Sequence, residues 1–135
     1  EGPEAGGEGL DGKIAAFKEM IGKARKAYPN CKMFVTTLRE VMSANLNKWG
    51  AIVWYNDEWY LEEPRPVEVL DRIGGGDACV GGLLYAILSG KKPEDWIKFG
   101  WACGALCLTY LTDYIRPVDE REILAVYEGN ARVLR

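Results

Sequence analysis

The sequence predicts an α/β fold, and three stretches carry that prediction. Ile14, Phe17, Ile21, Ala24 and Ala27 recur at three- and four-residue steps, the period of a helix with one buried face. A short turn at Tyr28-Pro29-Asn30 leads into Cys31-Lys32-Met33-Phe34-Val35-Thr36-Thr37-Leu38, whose β-branched and aromatic residues read as a buried strand. Farther on, an extended run, Pro66 to Leu70, is joined by a glycine-rich turn to a helical run, Ala78 to Leu88. Alternating strands and helices bury each other's apolar faces as stacked layers.

Taken in order, residues 1–10 are rich in Gly and Glu, bury little, and read as a flexible lead-in to one domain over residues 11–135. In the first helix the lysines at 13, 18, 23 and 26 form a solvated face. After the first strand, Arg39 to Lys48 mixes polar and small residues and reads as a loop. Trp49 to Tyr55 and Trp59 to Leu61 flank Asn56-Asp57-Glu58, a hairpin signature. Pro64-Arg65-Pro66 reads as a breaker before the short strand that delivers the glycine turn. The helix from Ala78 turns Cys79, Leu83, Ala86 and Ile87 inward, and Gly81 and Gly82 permit close approach of a neighbour. A second helix starts at Pro93-Glu94-Asp95, with Pro early and acids in the first turn, and runs apolar on most faces to Leu108. A final helix spans Asp119 to Tyr127.

Composition narrows the function. The chain has 135 residues, nearly half of them apolar, enough for one buried core. A net charge of −3 and the lack of any Lys/Arg run argue against nucleic acid and anionic membranes as partners. No apolar run approaches the ~20 residues of a bilayer span, no signal peptide opens the chain, and the default location is the cytoplasm. With no His and no Cys-x-x-Cys pair, Cys31, Cys79, Cys103 and Cys107 read as buried small hydrophobes, and no metal ligands are assigned. Acid-base chemistry falls to carboxylates, Lys, Tyr or Cys.

The chemistry-bearing stretch is Asp71-Arg72-Ile73-Gly74-Gly75-Gly76-Asp77-Ala78-Cys79-Val80-Gly81-Gly82. Three glycines at a strand-to-helix junction free the backbone to turn and to aim first-turn amides, which have no intrahelical partner, at one spot. Such a spot attracts anions. Asp77 beside it either caps the helix or accepts a proton from a bound hydroxyl. Two better-known phosphate motifs fail: ahead of Gly90-Lys91 the required glycine is Tyr85, and Cys79 stands where a dinucleotide fingerprint starting at Gly74 needs its third glycine.

The stretch resembles the signature of the ribokinase family of sugar kinases, Asp-Thr-x-Gly-Ala-Gly-Asp-x-Phe-x-Ala-Gly. Its Asp-Arg-x-Gly-Gly-Gly-Asp form is most similar to the 2-keto-3-deoxygluconate kinases. Thr36-Thr37-Leu38-Arg39-Glu40-Val41, Ser43-Ala44 and Asn47-Lys48-Trp49-Gly50 are similar to a second pattern of those kinases. The resemblance implies the C-terminal portion of a ribokinase-like fold, a mostly parallel sheet flanked by helices, with ATP, Mg²⁺ and a small sugar-acid substrate. By resemblance Asp77 is the catalytic base and also touches substrate, and Gly74, Gly75 and Gly76 form the anion hole. Thr37, Arg39 and Gly50 border the nucleotide, with Ala102 and Ala105 as weaker candidates for the adenine wall. Thr109-Tyr110-Leu111-Thr112-Asp113 aligns with the family stretch Thr-x-Pro-Gly-Asp, which makes Asp113 a second acid near the sugar. The family's Asn-x-x-Glu motif, absent here, lies upstream of Glu1, so the isolated chain is expected to lack normal turnover and to self-associate. A homo-oligomer, another sugar or nucleoside as substrate, and a non-catalytic nucleotide-binding module all stay open.

Overall fold

The computed structural model describes residues 9–117 and 119–129. Residues 1–8 of the lead-in and 130–135 of the tail lie outside them. The element order is α1 (Leu10–Ala27), β1 (Met33–Val41), β2 (Leu46–Tyr55), β3 (Glu58–Glu68), α2 (Gly75–Leu88), α3 (Pro93–Leu108) and α4 (Glu120–Tyr127).

The three strands form one sheet in the order β1-β2-β3, and both pairings are antiparallel. The expected mostly parallel pairing is therefore corrected for the described strands. Two short connections explain the difference, since hairpins join antiparallel neighbours whereas parallel ones need a crossover. The expected loop at Arg39 to Lys48 shrinks to four residues, because β1 runs on to Val41 and β2 starts at Leu46. At the other connection Asn56 and Asp57 take φ of 50° and 61°, as a tight hairpin turn requires.

Pro64-Arg65-Pro66 does not break the chain either: β3 is one strand from Glu58 to Glu68. It lies at a sheet edge, where a residue without an N–H is tolerated. Opposite Pro64 the register slips between Trp49 and Ala51, leaving Gly50 at a bulge. A Cβ on Gly50 would sit 2.7 Å from the Glu62 carbonyl oxygen and 2.8 Å from Pro64 N, so only glycine fits.

β2 is buried on both faces. Ile52 and Trp54 join Leu38 and Ile21 of α1 in a small cluster, while Trp49, Ala51 and Val53 join the main core with α2, α3 and α4. α3 is its centre: of its sixteen residues, twelve are buried. α2 packs against it through Gly82, where a Cβ would come within 2.5 Å of the Phe99 carbonyl oxygen, whereas a Cβ on Gly81 would meet open space. Of the Gly81-Gly82 pair, only Gly82 makes the close approach, and Gly100 of α3 meets α2 from the other side, where a Cβ would lie 3.0 Å from the Cys79 carbonyl oxygen. Cys79, Cys103 and Cys107 are buried as expected, but Cys31 is exposed. Burial pushes the Cys79 thiol up to about 12 and Cys103 to about 11, so both stay protonated and inert.

Candidate active site

The glycine turn is built where α2 begins. Gly74 is the N-cap, in the left-handed region at φ 83°, and a Cβ there would overlap the backbone carbonyl of Asp113. Two demands, conformation and space, thus select glycine. The helix starts at Gly75, three residues earlier than the pattern suggested, because its first bond is Ala78 N–H to the Gly74 carbonyl at 2.8 Å. The amides of Gly75, Gly76 and Asp77 therefore have no intrahelical acceptor. Asp77 is in this first turn, exposed, and makes no capping bond, which removes the cap as its role.

The turn is anchored from three sides. Leu70 N–H and Asp71 N–H both donate to the Leu108 carbonyl, at 2.8 and 3.3 Å. The Asp71 carboxylate accepts from Ile73 N–H at 3.1 Å, and the Arg72 guanidinium donates to the Ala44 carbonyl at 3.1 Å. Val69 N–H donates to the Asn45 carbonyl at 2.8 Å, so the β1–β2 turn is fastened beside the glycine turn. Beneath it, the Cys107 thiol is 3.7 Å from the Ile73 carbonyl. Burial, then the negative charge of Asp113, Asp71 and Asp77, push that thiol up.

A cavity of about 540 Å³ adjoins the turn, with Asp77, Tyr85, Phe99, Asp113, Tyr114 and Ile123 among its walls. It is largely apolar, with Asp77 and Asp113 both facing it, as a site that positions a hydroxyl beside a proton acceptor requires. The structure thus brings together Gly74, Asp77 and Asp113. Thr37, Arg39, Gly50, Ala102 and Ala105 do not line this cavity. Thr37 and Arg39 lie on β1, opposite Ala51 and Trp49 of β2. Ala102 and Ala105 are buried in the main core, which accounts for their size without a ligand. Tyr85 and Tyr114 are site neighbours that no local pattern singled out, because Tyr85's partner Glu120 is 35 residues away and Tyr114 comes from the α3–α4 connection.

Among the described residues no group of three metal-ligating side chains occurs. The turn offers amides for an anion.

Residues 31–119 match the family described as pfkB family carbohydrate kinase. The chain belongs to the pfkB family of carbohydrate kinases. The likeness to ribokinase-family sugar kinases is thereby borne out, and so is an α/β ribokinase-like fold. The 2-dehydro-3-deoxygluconokinase of Thermotoga maritima superposes on 90% of this chain with a TM-score of 0.78 and 30% identity, the chain covering 36% of that structure. A pfkB family carbohydrate kinase from Listeria grayi gives 0.73 at 28% identity, again over 90% of this chain and 40% of that one. Fructoselysine 6-kinase of Escherichia coli is 32% identical over 65 residues, 48% of this chain and 25% of the relative. The chain thus spans between a quarter and two fifths of these proteins. Among the described residues no helix is long and apolar enough to cross a membrane.

Proposed function

We propose that this chain is the nucleotide-side part of an ATP-dependent sugar kinase that phosphorylates a sugar-acid hydroxyl, 2-keto-3-deoxygluconate at its 6-position being the substrate the resemblance favours. The observation that carries the proposal is the pairing, in one helix turn, of three amides without an intrahelical acceptor and an uncapped carboxylate facing a cavity. Phosphoryl transfer needs little covalent chemistry from the protein and much positioning and charge stabilisation. Asp77 takes the proton of the acceptor hydroxyl. The amides at Gly75 and Gly76, with the N-terminal end of the α2 dipole behind them, hold the equatorial oxygens as charge builds. Gly74 sets the direction of those amides and Asp113 closes the sugar side. Thr37, Arg39 and Gly50 are assigned to the nucleotide border. Mg²⁺ brought in with ATP would neutralise phosphate charge beside these amides.

The 30% identity to a 2-dehydro-3-deoxygluconokinase supports the sugar acid, while the 32% match to a fructoselysine 6-kinase keeps a different sugar as the second reading. The test joins this chain to the amino-terminal part of the Thermotoga kinase and follows ATP-dependent phosphorylation of both sugars. Asp77→Asn is expected to lower turnover by on the order of 10²–10⁴-fold while ATP still binds. Unchanged turnover in the variant removes Asp77 as the base. ATP binding with no turnover in either protein replaces the kinase with a non-catalytic binding module.

A further inference from the structure

The indole of Trp49 is wedged between α3 and the glycine turn. Its Nε1 donates to the Trp101 carbonyl at 3.2 Å, and Trp101 Nε1 donates back to the Trp49 carbonyl at 2.7 Å. This reciprocal pair, buried and 52 residues apart in sequence, fixes the plane of the ring. On one side the ring fills the place of a side chain at Gly104: a Cβ there would overlap Cζ2 and lie 2.8 Å from Cε2. On the other side Cη2 would be 3.6 Å from a Cβ on Gly75, ordinary packing distance. Leu108 supports the same glycine, with Cδ2 3.0 Å from that position, and its carbonyl holds the chain entering the turn. The space a side chain at Gly75 would enter is therefore bounded by Leu108 of α3 and by the Trp49 ring bonded to α3.

We infer that Trp49 is a positioning residue for phosphoryl transfer, setting the height and orientation of the Gly75 and Gly76 amides without touching substrate. The inference rests on reading Gly74 to Gly76 as the phosphoryl-binding turn. Amides that must meet charge only as it develops lose their effect when displaced by about 1 Å, at a cost of about 10²-fold in rate. A ring that cannot tilt keeps them in place. The glycine at 104 is the space this ring requires.

The test compares Trp49→Phe, which removes both Nε1 and the ring reaching Gly75, with Gly104→Ala, which drives the ring out of its slot. Trp101→Phe is the control, breaking one bond of the pair while leaving the ring under Gly75. In the kinase completed with the Thermotoga amino-terminal part, assayed below each melting midpoint, Trp49→Phe and Gly104→Ala are expected to lower kcat about 10- to 100-fold with the sugar KM within about threefold. Trp101→Phe is expected to lose stability but keep kcat within about threefold of the parent. In the chain itself, at dilutions where it sediments as a monomer, ¹⁵N order parameters at Gly75 and Gly76 should fall from about 0.85 to below about 0.6 in Trp49→Phe and hold in Trp101→Phe. An ordered turn in Trp49→Phe, or a kcat loss no larger than that of Trp101→Phe, overturns the inference. The reading beneath it is measured apart, by Asp77→Asn: a fast Asp77→Asn kinase sinks the catalytic turn, whatever the order parameters show.

Discussion

Asn47 is fully buried, and neither its amide nitrogen nor its oxygen has a hydrogen-bond partner among the described residues. An unpaired buried amide costs about 1–3 kcal/mol, whereas an apolar group of the same shape costs nothing of that kind. Asn47→Leu is therefore expected to leave the urea midpoint unchanged or raise it. A loss of more than about 1 kcal/mol of unfolding free energy would show instead that a bound water or ligand satisfies the amide. At this scale legibility depends on reach. The glycine turn was readable because three glycines and an acid at a strand-helix junction carry their meaning in adjacent positions. Trp49 is legible as a strand residue and Asn47 only as part of a resemblance, but neither environment is, since what they touch or fail to touch is set by α3 and the sheet. Gly50, assigned by resemblance to the nucleotide border, also meets a steric demand its own sequence does not show, the bulge against Pro64.

At the scale of elements, helix types were legible and sheet pairing was not. The periods of α1, α2 and α3 follow from one-dimensional spacing, and their bounds fall within a few residues of the pattern. Antiparallel pairing follows from how short the connections are, and the polar run at Arg39 to Lys48 concealed one of them by continuing two strands. β3 ran through two prolines because it is an edge, a fact about neighbours rather than about its own sequence. The last helix gives an element whose stability depends on one side chain. Asp119, the N-cap of α4, accepts from Arg121 N–H at 2.9 Å and Glu122 N–H at 3.2 Å and pairs with the Arg121 guanidinium. Those partners, the Arg121 side-chain bond first, hold its carboxyl below the ordinary 3.8. A lowered folded-state value means that the stabilisation is fully present above 3.8 and is lost as pH falls through the lowered value. Asp119→Ala should accordingly lower the melting temperature at neutral pH, and the gap between variant and parent should close in acid. A gap that persists unchanged at low pH would assign the loss to packing instead.

For the molecule as a whole, the surface is the informative part. α2 is buried on the side of Cys79, Leu83 and Ala86, yet its other side leaves Val80, Leu84 and Leu88 at 46%, 49% and 86% exposure. Leu70, Ile73 and Leu111 add to the exposed apolar groups around the glycine turn. β1 is the outer strand of the described sheet, so one row of its backbone groups faces no strand. Open edges and contiguous apolar faces drive self-association unless something covers them, and the Thermotoga kinase holds well over twice as much chain as this one, 90% of this chain covering 36% of it. The chain alone is therefore expected to associate with rising concentration in sedimentation velocity. Leu84→Lys with Leu88→Lys should return it toward the monomer with little loss of fold, because both side chains already reach solvent. Joining the amino-terminal part of a related kinase should do the same by covering the face rather than charging it. A monomer at high concentration, melting cooperatively and indifferent to both changes, would mean that this surface is tolerated by water as it stands. ATP titration of the isolated monomer would then become the direct measure of the glycine turn.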